Sequence, residues 1–214
     1  MDPDFWSNVI ELLTALAGGG GALAFVLKWW FARKRAANVN DTVRAMAEVR
    51  EVYEALNDVL MEVGGAGRAM LLRSENGGGI PSANRPVYSS VLHEVHGTSL
   101  EPIRERWQRM KVDEQYARLL HELATKGYVQ LDTASMEPGS LRTSYEAAGV
   151  ACAMVCAVVA DDTGFNYLSV VCTESKPDQI AVNTEAVRGC ANRLRTILSN
   201  DKTAFLPEHL HPYD

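Results

Sequence analysis

The sequence predicts an α+β chain in which one transmembrane α-helix is followed by an antiparallel sheet flanked by helices. Three observations carry that expectation. An uncharged run from Leu12 to Leu27 is bracketed by aromatic residues, an apolar stripe at helical spacing follows it, and beyond Gly67 the pattern changes to short strands and a hairpin. The chain has 214 residues, 22% of them charged and 47% hydrophobic, enough for one ordinary domain and an appendage.

From Val9 to Leu27 the only strongly polar side chain is Glu11. Crossing a hydrocarbon core takes about 17–25 residues, so the run is just long enough. Phe5 and Trp6 precede it and Trp29, Trp30 and Phe31 follow it, as interfacial anchors would. On a straight helix Phe5 and Trp29 stand roughly 36 Å apart, which matches a bilayer core with part of its interfaces. Asp2 and Asp4 come first and Lys28, Arg33, Lys34 and Arg35 come after. The positive-inside rule then puts the N-terminus outside and the remainder in the cytoplasm, a single-pass protein of the inner (cytoplasmic) membrane. A cleaved signal peptide would carry its charge in the opposite order.

Four consecutive glycines, Gly18, Gly19, Gly20 and Gly21, sit inside this run. Glycine is a poor helix former in water, but in lipid no water competes for the backbone and small residues let helices approach closely. Ala15 with Gly19, Gly18 with Ala22 and Gly20 with Ala24 are small-xxx-small pairs. Residues 1–35 are therefore expected to form an anchor that meets the lipid bilayer and its own copies in a homo-oligomer. Glu11, costly against lipid, would face a shared interior or lie near the outer headgroups.

Residues 36–65 read as a juxtamembrane helix, capped by Asn40 and Asp41 and ended by Gly64 and Gly65. Met46, Val49, Tyr53, Leu56, Leu60 and Val63 are spaced 3, 4, 3, 4, 3, the seam of a coiled coil. An amphipathic helix lying on a sheet shows nearly the same stripe, and Val52 and Val59 widen it for that purpose.

Residues 66–199 form the main domain in this reading, and 200–214 a tail. RAMLLRS and VYSSVLHEV are expected strands joined by the turn-rich ENGGGIPSANRP. Ser99 is expected to open a helical region that breaks near Lys111, carries Trp107 and Tyr116, and closes at Gly127. YVQLD is a short strand, SMEPGS a turn, and LRTSYEAAG a loop or edge strand. ACAMVCAVVA and FNYLSVVCT form a hairpin around DDTG. A last helix is expected from about Lys176 to Leu198, with Ser175 and Asp178 at capping-box spacing.

RAMLLRSENGGG as first strand and turn, GVACAMVCAVVADDTGFNYLSVVCT as terminal hairpin, and flanking helices beginning at Thr42 and ending near Leu198 together resemble the GAF/PAS class of sensor domain, GAF more than PAS. The resemblance covers roughly residues 42 to 199 and lies in element order, with no catalytic or chromophore motif. It implies an antiparallel sheet with helices on one face and a ligand cavity on the other. It also implies binding of cyclic nucleotides, tetrapyrroles or small metabolites, and dimerisation through the first and last helices.

The net charge of −6 and the single basic cluster beside the apolar run exclude a nucleic-acid surface from the expectations. Cys152, Cys156, Cys172 and Cys190 lie in or beside apolar segments with no CxxC pair and read as reduced core thiols. His93 and His96 fall three apart on a strand and point to opposite faces, so no metal site is expected. No nucleophile elbow, P-loop or paired carboxylates appear, so no catalytic residue, cofactor or enzyme activity is expected.

Candidate ligand contacts are Asn76, Gly77, Gly78, Gly79 and Arg85, whose amides and side chains would suit an anion. A mobile hairpin loop accounts for the same letters. Trp107, Tyr116, Arg142 and Tyr145 join them because the resemblance places their segments at the cavity border.

The functional expectation is a membrane-anchored oligomeric sensor or effector. Its GAF-like domain would bind a small-molecule or nucleotide ligand, or a partner, and signal to the membrane helices, with membrane perturbation in phage defence as one form. The alternatives are a membrane-anchored assembly protein that binds no ligand and a single-span phage lysis or exclusion protein.

Overall fold

The computed structural model describes residues 39–76, 83–161, 164–173 and 183–199. The chain divides into two units, Met1–Ala47 and Glu48–Asp214. In the first, residues 39–47 are helical, and Val39, Val43 and Met46 are exposed. The run containing Glu11 and Gly18 to Gly21 lies outside the described residues. Among those that are described, no helix is long and apolar enough to cross a membrane.

The second unit begins with α1, residues 48–62. Then come β1 (Ala66–Glu75), β2 (Tyr88–His96), the two-residue β3 (Met110–Lys111), α2 (Glu114–Lys126) and β4 (Tyr128–Asp132). A 3₁₀ turn (Thr133–Ser135), α3 (Ser140–Ala147), β5 (Cys152–Asp161), β6 (Gly164–Cys172) and α4 (Thr184–Ser199) complete it. The strands make one six-stranded sheet in the order β3-β2-β1-β6-β5-β4, with every pair antiparallel. The mixed α+β architecture, the antiparallel sheet and the β5–β6 hairpin agree with the GAF-like expectation.

Alternation along the strands divides the core into two layers. On one face Ala69, Leu71, Met154, Cys156, Leu168 and Val170 pack against Val52, Ala55, Leu56 and Val59 of α1, Val63 just beyond it, and Val187, Cys190, Ala191 and Leu194 of α4. On the other, Met70, Leu72, Val155, Tyr167 and Val171 meet Trp107, the α2 residues Tyr116, Leu119 and Leu123, and the α3 residues Leu141 and Tyr145. Helices therefore cover both faces of the sheet.

The wide apolar face of α1 explains what became of its seam. Val52 and Val59 are buried with Leu56 and Val63 on this chain's own sheet, and Tyr53 and Leu60 are half-buried. That part of the 3,4 stripe serves the sheet. Arg193 of α4 pairs with Asp58 of α1 at 2.7 Å, and the Cys190 thiol donates to the Ala55 carbonyl at 3.3 Å, so the first and last helices lie side by side. A bulge between Ala157 and Val159 breaks the β5–β6 register, and Arg195 of α4 donates to the carbonyls of Val158 at 2.8 Å and Ala157 at 3.2 Å there.

Several expectations are corrected. The chain is already helical at Val39, so Asn40 and Asp41 lie inside the helix and do not cap it. Ser99 opens no helix. Residues 98–109 are turns that bring the Trp107 carbonyl onto the Val91 amide at 3.0 Å, extending the β2 edge. Arg109, at φ 53°, then reverses the chain into β3. The helix that follows is capped by Asp113, whose carboxylate accepts from the amides of Tyr116 at 2.9 Å and Ser140 at 2.7 Å, tying the starts of α2 and α3 together. It ends at Gly127 with φ 80°.

Of LRTSYEAAG, expected as a loop or edge strand, all but the last two residues are helical, because Leu141 and Tyr145, four apart, share a buried side. The expected start of the last helix, from Ser175 through Ile180, lies outside the described residues. Within them, α4 begins at Thr184.

All four cysteines are buried thiols outside any disulfide. Burial, foremost, pushes the thiols of Cys156, Cys172 and Cys190 up to about 12. The unfolded chain releases these protons near the ordinary thiol value of about 8.5 while the fold retains them, so stability is full below that value and falls as pH rises toward 12. An aromatic disulfide reagent at neutral pH is expected to leave all four cysteines unmodified in the folded protein and to titrate all four in denaturant. Rapid reaction of any of them in the native state would contradict this packing.

Candidate functional site

The sheet face opposite α1 and α4 carries a hydroxyl layer. Tyr167 projects from β6 beside Ser89, which faces the same way from β2 across the intervening β1. Tyr116 reaches them from the first turn of α2. The Tyr116 hydroxyl donates to Ser89 Oγ at 3.0 Å and lies 2.5 Å from the Tyr167 hydroxyl, and Ser89 and Tyr167 also share a hydrogen bond. Three hydroxyls with one proton each close a ring in which every member donates once and accepts once.

Beside the ring, Trp107 stacks on Tyr145 with centroids 5.8 Å apart and planes 3° from parallel. Two further hydroxyls, Ser74 and Ser169, point to this face and are buried, Ser74 against the Tyr167 phenol and Ser169 against that of Tyr145. A buried hydroxyl that fails to find partners costs about 1–3 kcal/mol, so a layer built only for packing would use apolar side chains here. Burial drives the phenols of Tyr116, Tyr145 and Tyr167 above their ordinary range. They stay protonated at neutral pH and offer hydrogen bonds rather than acid–base chemistry.

Of the residues singled out from the sequence, Trp107, Tyr116 and Tyr145 come together in this layer. Arg142 does not join them. It pairs with Glu146 at 2.8 Å and donates to the Met136 carbonyl at 2.6 Å along α3. Asn76 is buried at the end of β1 and Arg85 is exposed, while Gly77, Gly78 and Gly79 lie outside the described residues. The sequence reading missed Ser74, Ser89, Tyr167 and Ser169. Their signal was the presence of hydroxyls at core-facing strand positions, legible only once the register of β1, β2 and β6 is known. His93 and His96 do face opposite sides of the sheet, since His93 sits across from Leu71 and His96 from Arg68. Among the described residues no group of His, Cys, Asp and Glu is arranged to hold a metal.

No known family profile and no curated protein matches the chain. Among solved structures it is similar to a far-red cyanobacteriochrome photoreceptor, at 13% identity and a TM-score of 0.49, over 77% of this chain and 97% of that one. It is also similar to the blue-light absorbing form of the PixJ GAF domain of Thermosynechococcus elongatus, at 14% identity and a TM-score of 0.48, over 73% of this chain and 92% of that one. A third is the GAF domain of a two-component sensor histidine kinase from Bacillus halodurans, at 11% identity and a TM-score of 0.46, over 72% and 95% respectively.

Proposed function

We propose that this chain is a membrane-tethered sensory module whose GAF-like domain takes a small ligand on the hydroxyl layer and passes the event to the helices on the opposite face. The observation that carries the reading is the concentration of buried hydroxyls, Ser74 and Ser169 beside the Ser89–Tyr116–Tyr167 ring, on one face of an otherwise apolar core. A neutral ligand rich in hydrogen-bonding groups would exchange hydrogen bonds with them once the Trp107–Tyr145 stack moves aside. Ligand binding shifts the protein only to the extent that it favours one packing over the other. The tether and self-association through Glu11 and Gly18 to Gly21 rest on the sequence pattern, as does the antiviral form in which a nucleotide signal perturbs the bilayer. The module performs no chemistry of its own in this reading.

A specific observation favours a second reading, a docking domain without ligand. Trp107, Tyr116 and Tyr145 are buried, so this chain's own side chains fill the space. The Y116F/Y167F double variant separates the two. It keeps the ring volumes and removes two hydroxyls, so native mass spectrometry of protein purified from its host is expected to show a small molecule on wild type that is absent from the variant. Bare wild type, together with a variant of equal or greater stability and full activity in the host, would favour the docking domain.

A further inference from the structure

A second depression, away from the hydroxyl layer, has the chemistry of an anion site. It has a volume of about 680 Å³ and is lined by Tyr53 of α1, Glu94 and His96 of β2, and Pro102, Arg104, Glu105, Arg106 and Gln108 of the segment that leads to β3. β3 pairs only with Tyr88 and Ser89, so the second half of β2 is a sheet edge, and the groove runs along it.

The charges are unevenly matched. Glu94 is fully engaged: Arg68 lies 2.6 Å away, and its two oxygens accept from the amides of Ile103 and Arg104 at 2.7–3.1 Å. The Gln108 amide group is also committed, donating to the carbonyls of Val91 and Arg104. The guanidinium groups of Arg104 and Arg106, both exposed, make no ion pair or hydrogen bond among the described residues, and the remaining carboxylate of the lining is Glu105.

The cations crowd one another as well. Arg104, after burial itself, helps hold the His93 imidazole below its ordinary range, and Arg106 opposes the charge of Arg68. Arg68 sits directly across the strand pair from His96, and its Nη1 has no acceptor among the described residues. With Glu94 neutralised by the buried Arg68, the groove of this net-acidic chain sets two arginines, Arg104 and Arg106, against the one carboxylate of Glu105. Forked guanidinium groups bind phosphate oxygens in pairs, and a phosphate would relieve the repulsion among them.

We infer that this groove binds a phosphate-bearing ligand through Arg104 and Arg106. The contact reaches α1 through Tyr53, so the ligand would fasten the 102–108 segment to the first helix. The site shares no lining residue with the hydroxyl layer, although Trp107 of that layer lies in the same segment. A soluble phosphorylated metabolite and a phospholipid headgroup share the required chemistry.

The test is thermal denaturation of the full chain in detergent at constant ionic strength, with inorganic pyrophosphate, dioctanoyl phosphatidic acid and, as control, dioctanoyl phosphatidylcholine. Stabilisation by pyrophosphate or by phosphatidic acid is expected. R104Q/R106Q, both exposed substitutions, is expected to weaken that binding about tenfold or more, the equivalent of one or two charge-assisted hydrogen bonds. E105Q, which removes the opposing carboxylate, is expected to strengthen it. A preference for pyrophosphate assigns a soluble ligand, and a preference for phosphatidic acid assigns a lipid. No stabilisation by either phosphate probe, or stabilisation that survives in R104Q/R106Q, overturns the site. The outcome leaves the hydroxyl layer untouched, because none of its residues is altered.

Discussion

Substituting Glu94 by alanine is expected to destabilise the domain by about 3–5 kcal/mol, the usual cost of leaving a buried charge without its partner. The side chains of Arg68 and Glu94 are 2% and 3% exposed, and they meet at 2.6 Å between adjacent strands. Glu94 also accepts the amides of Ile103 and Arg104, which fixes the turn that presents Trp107 to the core. Arg68 in turn donates to the Glu101 carbonyl at 2.6 Å. One carboxylate thus holds β1, β2 and the 101–107 segment in a single arrangement. Urea denaturation of E94A measures the loss. Adding R68M removes the stranded charge and is expected to recover much of it, though the two turn amides stay unsatisfied. A loss below about 1 kcal/mol in E94A, the level of an exposed pair, would show that the ion pair is hydrated instead.

Trp107→Ala is expected to cost a similar amount, about 3–5 kcal/mol, by leaving a cavity where the indole stacks on Tyr145. Trp107 is 6% exposed and shares its layer with Ile103, Leu123 and Tyr145, so the neighbours can close only part of the space. Added indole is expected to raise the melting temperature of W107A and leave wild type unaffected, since binding to the folded state stabilises it by mass action. A W107A protein as stable as wild type, with no response to indole, would mean that the layer collapses without loss and that Trp107 does not gate a binding space.

How much of this was legible in the sequence varied with the kind of interaction. The hairpin of β5 and β6 was plain, because two apolar runs flank an Asp-Thr-Gly turn and local pairing needs no distant partner. α3 was not, since Leu141 and Tyr145 become a buried side only when α2 and the sheet lie beneath them. The segment around Trp107 carried helix-forming residues but was captured by the β2 edge through the Val91–Trp107 hydrogen bond, a tertiary override of local propensity.

The stripe of α1 illustrates a different limit. Spacing alone does not distinguish a partner helix from the chain's own sheet, and Leu56 and Val63 of the stripe went to the sheet together with Val52 and Val59 beside them. For the candidate site, the aromatic residues Trp107, Tyr116 and Tyr145 were singled out through the resemblance. The hydroxyls that complete it were not, because serine on a strand reads as surface until the register is known. The Arg68–Glu94 pair was equally invisible, separated by 26 positions that only the β1–β2 register brings together.

The proposed signalling to membrane helices requires that the chain be physically tied to a bilayer. Alkaline carbonate extraction of membranes from cells making the full chain tests this most directly. The protein is expected to stay in the membrane pellet, to be released only by detergent, and to lose this behaviour when residues 1–35 are deleted. Recovery of the intact chain in the carbonate supernatant would contradict this expectation.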